Sequence, residues 1–176
     1  MLKNRSVAFT FLVAAPWAFV LGCGGSTAPT NSAGPSPEGA AYILASEPTA
    51  AQSVKEVRAD AQDAQEVTLV GRIGGDENPW VEGQAAFLIV DKSLKPCNEQ
   101  HDDACATPWD YCCDTDALPA NKVLVKVVDA SGKPIATDAR KLLGLKELQT
   151  VVVHGKAQRD EAGNLSVMAD GIFVSK

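Results

Sequence analysis

Four cysteines fall within one short stretch, "KSLKPCNEQHDDACATPWDYCCDTDALPAN", at Cys97, Cys105, Cys112 and Cys113. His101 lies among them, with Glu99, Asp102, Asp103, Asp110, Asp114 and Asp116, against only Lys92 and Lys95. Sulfur at this density supports three chemistries. The leading one is a pair of disulfides, either Cys97–Cys112 with Cys105–Cys113 or Cys97–Cys113 with Cys105–Cys112. A bond between the adjacent Cys112 and Cys113 would close a strained ring. Each staple would contribute on the order of 3 kcal/mol by the chain-entropy argument. The second chemistry is a metal site. Four thiolates, or three with the His101 imidazole, suit zinc or Cu(I) because thiolates are soft ligands. The spacing C-x7-C-x6-C-C departs from the paired C-x(2–4)-C of structural zinc sites. The surrounding carboxylates attract a cation but also raise thiol pKa values. The third and weakest is thiol–disulfide catalysis, which normally uses C-x-x-C at a helix N-terminus. Here acids flank "DYCCD" on both sides. No cofactor is expected on the leading reading, and zinc or copper on the second.

Aromatic residues accompany the thiols. Trp109 and Tyr111 are expected to pack as a local mini-core over the sulfurs. The alternative is a recognition surface shared with Trp80 in "DENPWVEG", since Trp and Tyr are enriched at binding hot spots. "GRIGG" at 71–75 follows a strand pattern without opening a helix, so it reads as a turn and not a phosphate loop. His154 reads as a strand-face residue. Nothing in the sequence gathers Ser, His and Asp into a triad. The leading function is therefore a non-enzymatic binding or scaffold module with an unknown protein or small-ligand partner. The alternative is a metal-binding protein, and the third a thiol–disulfide oxidoreductase.

The elements that must position this stretch are mostly strands. Ala50, Val54, Val57 and Ala61 recur at helical spacing, predicting a helix over 50–60 with Thr49 as its cap. Alternation predicts strands at 66–75 and 121–135, and the segment 84–94, apolar on both faces, reads as a central strand. Leu142, Leu145 and Leu148 predict a helix over 138–149, weakened by Gly144. Two more strands follow in 150–176, joined by a hairpin at 161–164. Five antiparallel strands with a helix between the third and fourth is the order of an OB-fold. The expected architecture is all-β with minor helix: a five-stranded OB-fold-like barrel with a cysteine-rich insert (92–121) between its second and third strands. Gly71 and Gly155 each follow an apolar run, where a strand bends to close a small barrel.

Val67-Thr68-Leu69-Val70-Gly71-Arg72-Ile73, Asp91 after "FLIV", and Val151-Val152-Val153-His154-Gly155-Lys156-Ala157 together resemble small exported bacterial OB-fold proteins. The likeness covers about residues 50–175. It implies the barrel, and the binding of small ligands or cations proposed for that class. The cysteine insert is not part of the general pattern and looks like a feature of a lipoprotein subfamily.

The N-terminus supplies an address. Lys3 and Arg5 precede an apolar run from Val7 to Leu21, too short for a membrane span and suited to a signal peptide. Val20-Leu21-Gly22-Cys23 resembles the bacterial lipobox, which implies lipidation of Cys23 and a cell-envelope location. Residues 1–22 are then a signal peptide, 23–46 a lipidated cysteine and Gly/Ser/Pro-rich tether, and 47–176 the domain. The membrane becomes a partner through the lipid anchor. Gly24, in the place of the Asp of inner-membrane lipoproteins, favours a periplasm-facing outer-membrane anchor. The formal net charge is -6. Losing Lys3 and Arg5 with the leader makes it about -8. That balance excludes nucleic acid as a partner, since phosphate binding needs Lys and Arg.

Overall fold

In the computed structural model, residues 34–100 and 105–175 are described. Their elements run β1 (Gln52–Ser53), α1 (Val54–Asp60), β2 (Glu66–Ile73), β3 (Trp80–Val81), β4 (Ala86–Val90), α2 (Leu118–Asn121), β5 (Lys122–Val127), α3 (Ala139–Leu143), β6 (Thr150–Arg159) and β7 (Leu165–Val174). Short 3-10 turns sit at Gly39–Tyr42, Cys97–Glu99 and Cys112–Asp114. Val67, Leu69 and Ile73 of β2 face inward. So do Val123, Val125 and Val127 of β5, with Val151 and Val153 of β6. This period of two is why these segments are strands with one buried side.

The sheet closes on itself. β2 pairs antiparallel with β4 and with β6. β4 pairs antiparallel with β5, and β6 with β7. The circuit is completed by β5 and β7, which run parallel, with Val125 beside Val167. The five-stranded barrel and its helix between third and fourth strands are therefore as the sequence predicts, but the strands are not all antiparallel. β6 forms a hairpin with β7, so β7 runs in the direction of β5 where it meets it. β1 and β3 are two-residue additions, laid on β2 and β4 respectively.

One interior serves the whole barrel, with Leu69, Phe87, Ile89, Val125, Val153 and Ile172 fully buried. Each such side chain contributes about 1.5–3 kcal/mol of burial. Val54 and Val57 of α1 and Leu142 and Leu143 of α3 join the same cluster. The two glycines expected at bends have specific neighbours. A Cβ on Gly71 would lie 2.9 Å from Val54 Cγ2 and 3.0 Å from the Val90 carbonyl, so the glycine makes room for α1. Gly155 sits at a register shift between β6 and β7, where a Cβ would run into the Met168 carbonyl.

Three boundaries differ from expectation. The first helix starts at Val54 with Ser53 as its cap, not at 50 with Thr49. The Glu56 amide donates to Ser53 Oγ and the Ser53 amide donates to Glu56 Oε2, at 3.2 and 2.8 Å. This capping box satisfies two helix-end donors at once. The helix α3 covers only Ala139–Leu143, because Asp138 caps it and Gly144 ends it in the left-handed region at φ 68°. Finally, composition assigns 23–46 to the lipidated cysteine and tether, and residues 36–44 of that span make backbone hydrogen bonds to the domain. The Ser36 amide donates to the Leu142 carbonyl at 2.9 Å, and Leu44 to Ile172 at 2.8 Å. Small residues allow that approach. Cys23 and the leader lie outside the described residues.

Candidate metal centre

The cysteine insert leaves and re-enters the barrel at one point. Val90 pairs with Lys122 across β4 and β5, and the Asp91 amide donates to the Asn121 carbonyl at 2.8 Å. Asp91, only 4% exposed, accepts from the Lys55 amide on Oδ2 and from the Ser93 amide on Oδ1, each at 2.9 Å. Burial pushes its carboxyl up, but these hydrogen bonds outweigh it and hold the pKa below the usual carboxylate value. The Asp that follows "FLIV" thus joins the start of α1 to the root of the insert.

From that root the insert folds back over the loop after β2. Tyr111 is fully buried and packs with Val90, Leu118 and Leu94. Its backbone is left-handed at φ 59°, an uncommon conformation for a side chain of this size. Burial pushes its hydroxyl up to about 12. The Gly75 amide donates to the Trp109 carbonyl at 2.7 Å, and Trp109 Nε1 donates to the Glu77 carbonyl at 3.0 Å. A Cβ on Gly74 would collide with that Trp109 carbonyl, so the second half of "GRIGG" is glycine where two backbones meet. Arg72 and Glu99 pair at 2.8 Å. The Gly-Gly pair is a turn, as read from sequence, and also the seat of the insert.

On this base the thiols converge. The sulfurs of Cys97 and Cys112 stand 3.4 Å apart. The Cys97 thiol donates to Asp110 Oδ1 at 3.3 Å, and Cys105 Sγ lies 4.0 Å from Asp110 Oδ2. One donor atom from each of Cys97, Cys105, Asp110 and Cys112 lies within 4.8 Å of the other three. The edge of a tetrahedron around a metal with bonds near 2.3 Å is about 3.8 Å, so the spread of the four donors brackets that value. Asp110 is held by its own turn. Thr107 Oγ1 donates to Oδ2 and the Cys112 amide to Oδ1, both at 2.9 Å. The Cys97 amide donates to Pro108 at 2.9 Å, which brings the two arms of the loop together.

Electrostatics favour the protonated form of Cys97 and Cys112 and the ionised form of Asp110. Burial raises the Cys97 thiol above its ordinary value. Cys112 is raised further, first by sharing a hydrogen bond with Cys97, then by burial and by Asp110. Burial pushes Asp110 up, but the Cys112 amide, Thr107 and Cys97 outweigh it and leave its carboxyl low. A cation entering this group would displace thiol protons, as thiolate ligation requires.

Of the expected disulfide pairs, Cys97 and Cys112 are brought together. No bond joins Cys97, Cys105 and Cys112 to one another. The closest pair, at 3.4 Å, is wider than the bonded separation of about 2.05 Å. The Asp110 carboxylate accepts between Cys97 and Cys105, which separates those two. Cys113 is exposed and its sulfur is not one of the four convergent donors, while its backbone amide bears on Cys97. His101 lies outside the described residues. Tyr111 and Trp80 are buried. Trp80 is 5% exposed, stacks at a tilt on Phe87 with centroids 5.9 Å apart, and donates through Nε1 to Glu147 at 2.6 Å. Trp109 is half-buried.

Two residues have partners that the sequence does not announce. In the sequence Asp110 is one acid among many. The available signal was Thr107 three residues before it and Cys112 two after it, the spacing of a side chain that caps its own turn. His154 has more company than a strand-face residue needs. Its Nδ1 pairs with Asp170 at 2.6 Å and its Nε2 with Glu66 at 3.1 Å, across β7 and β2. Among the known proteins compared, no family model matches the chain, and no curated protein matches it.

Proposed function

We propose that the protein is a metal-binding module of the cell envelope, tethered by lipid at Cys23. The metal is held by the thiolates of Cys97, Cys105 and Cys112 with the Asp110 carboxylate. The convergence of those four donors within 4.8 Å carries the reading. Three thiolates select a soft or borderline ion, and a carboxylate fourth ligand suits zinc better than Cu(I). The barrel supplies a rigid seat through Tyr111 and Gly75, and performs no chemistry itself. The role is binding, and not catalysis.

The test uses the full chain carrying Cys23→Ser, reduced and freed of metal. Titration with zinc against a chromophoric chelator should give one ion per chain, and cobalt should give thiolate charge-transfer absorption. Reduced protein that takes up neither ion would overturn the proposal. A second reading, a scaffold module with a stapled loop, is favoured only by the proximity of the Cys97 and Cys112 sulfurs. Native protein carrying that bond, and binding no ion after reduction, would establish it instead.

A further inference from the structure

The four donors differ in exposure. Cys97 is fully buried, Cys105 and Asp110 are half-buried, and Cys112 is exposed. The exposed and the buried sulfurs are the pair in contact, at 3.4 Å. A pair of this kind has an accessible atom for an incoming reagent and a protected neighbour to resolve what forms. Fifteen residues separate the two in sequence, and the loop between them is already closed by the bond from the Cys97 amide to the Pro108 carbonyl. Bringing the sulfurs into bonding distance needs a movement of only about 1.4 Å.

We infer that the site releases its metal when Cys97 and Cys112 are oxidised by a small-molecule disulfide, which makes the loop a redox-gated metal store. The inference rests on the metal reading given above. The metal-bound thiolate of Cys112 attacks the reagent RS–SR, forms Cys112–S–SR and expels RS⁻. The Cys97 thiolate then attacks the Cys112 sulfur, forms the Cys97–Cys112 bond and expels the second RS⁻. Two cysteine thiolates lose two electrons in all, and the reagent disulfide gains them. The metal ion leaves as a dication as two thiolate ligands become a neutral disulfide, so charge balances. Cys105 and Asp110 alone are too few ligands to retain it.

Cys97 and Cys112 are the sulfurs in direct contact, at 3.4 Å. Cys105 is turned toward Asp110 and Thr107, at 4.0 and 3.9 Å, with a carboxylate between it and Cys97.

The zinc-loaded C23S full chain is treated with oxidised glutathione. Zinc release is followed with a chromophoric indicator, and the same samples are mapped by intact mass and peptide mass. Expected are release in step with a loss of two hydrogens relative to the reduced metal-free chain, a crosslink at Cys97–Cys112, and re-uptake after reduction. Cys113→Ser should release zinc at an unchanged rate, while Cys97→Ser should stop at a glutathione adduct on Cys112. A crosslink that forms with zinc retained overturns the inference, as does a crosslink joining other cysteines. Metal-free reduced protein that never takes up zinc fails the metal reading instead. That failure is distinguishable, because it is read in the titration before any oxidant is added.

Discussion

At the residue scale, the site depends on which oxygen or sulfur stands beside which. Asp110 accepts from Thr107 and the Cys112 amide and faces two thiols, so it braces its own turn and, on the proposed metal reading, would also serve as a ligand. Asp110→Asn keeps the shape and removes the charge. Its zinc affinity should fall by about 10–100-fold, while Cys113→Ser should leave it unchanged; competition with a chelator reads both. His154 gives a pH prediction away from the thiols. Asp170, then Glu66, raise its pKa above the ordinary imidazole value, against some loss from burial. A group whose pKa is higher folded than unfolded adds stability that is complete below its unfolded pKa. That stability is lost as pH rises through the folded value. Unfolding by urea between pH 5 and 9 should therefore show His154→Gln destabilised most at the acid end. The difference from the parent should vanish toward pH 9. A constant gap across the range would assign His154 a packing role only.

At the element scale, the seat of the insert is built from ends of elements. Asp91 closes β4, receives the Lys55 amide at the start of α1, and receives Ser93 at the start of the insert. Asp91→Ala leaves two amides without their acceptor and should cost about 2–3 kcal/mol in chemical denaturation. Ser53→Ala removes one side of the capping box and should cost about 1 kcal/mol. The insert itself is held by Tyr111 more than by any secondary structure. Tyr111→Ala should cost about 3–5 kcal/mol and weaken zinc binding as well. A variant that loses stability and keeps full affinity would show that the thiols organise themselves without the barrel.

At the scale of the whole molecule, a closed barrel presents one long loop at one place. Five strands leave no long open edge, and the insert's ends meet where β4 and β5 pair. Gly155→Ala would place a methyl group against the Met168 carbonyl at the bulge between β6 and β7, and should lower the melting temperature by several degrees. It should not change zinc stoichiometry in the protein that remains folded, because the bulge lies outside the insert. Much of this was legible from the sequence. The alternation in "EVTLVGRI", "KVLVKV" and "TVVVHGKA" marks inward faces with a period of two, a local property of the chain that survives any topology. The special role of Gly71 and Gly155 was legible too, although Gly71 makes room for α1 and the irregularity in pairing lies at Gly155. The location of the site, as a thiol-rich insert between the second and third strands, was also readable from density of residue type alone. The tertiary structure decided the rest. That β5 and β7 run parallel follows from closure, which no segment encodes by itself. The choice of Asp110 over Cys113 depends on the left-handed turn at Tyr111, which exists because that ring is buried against Val90 and Leu118. Spacing in sequence could count the sulfurs, but only the fold of the loop over the barrel determines which donors face one another.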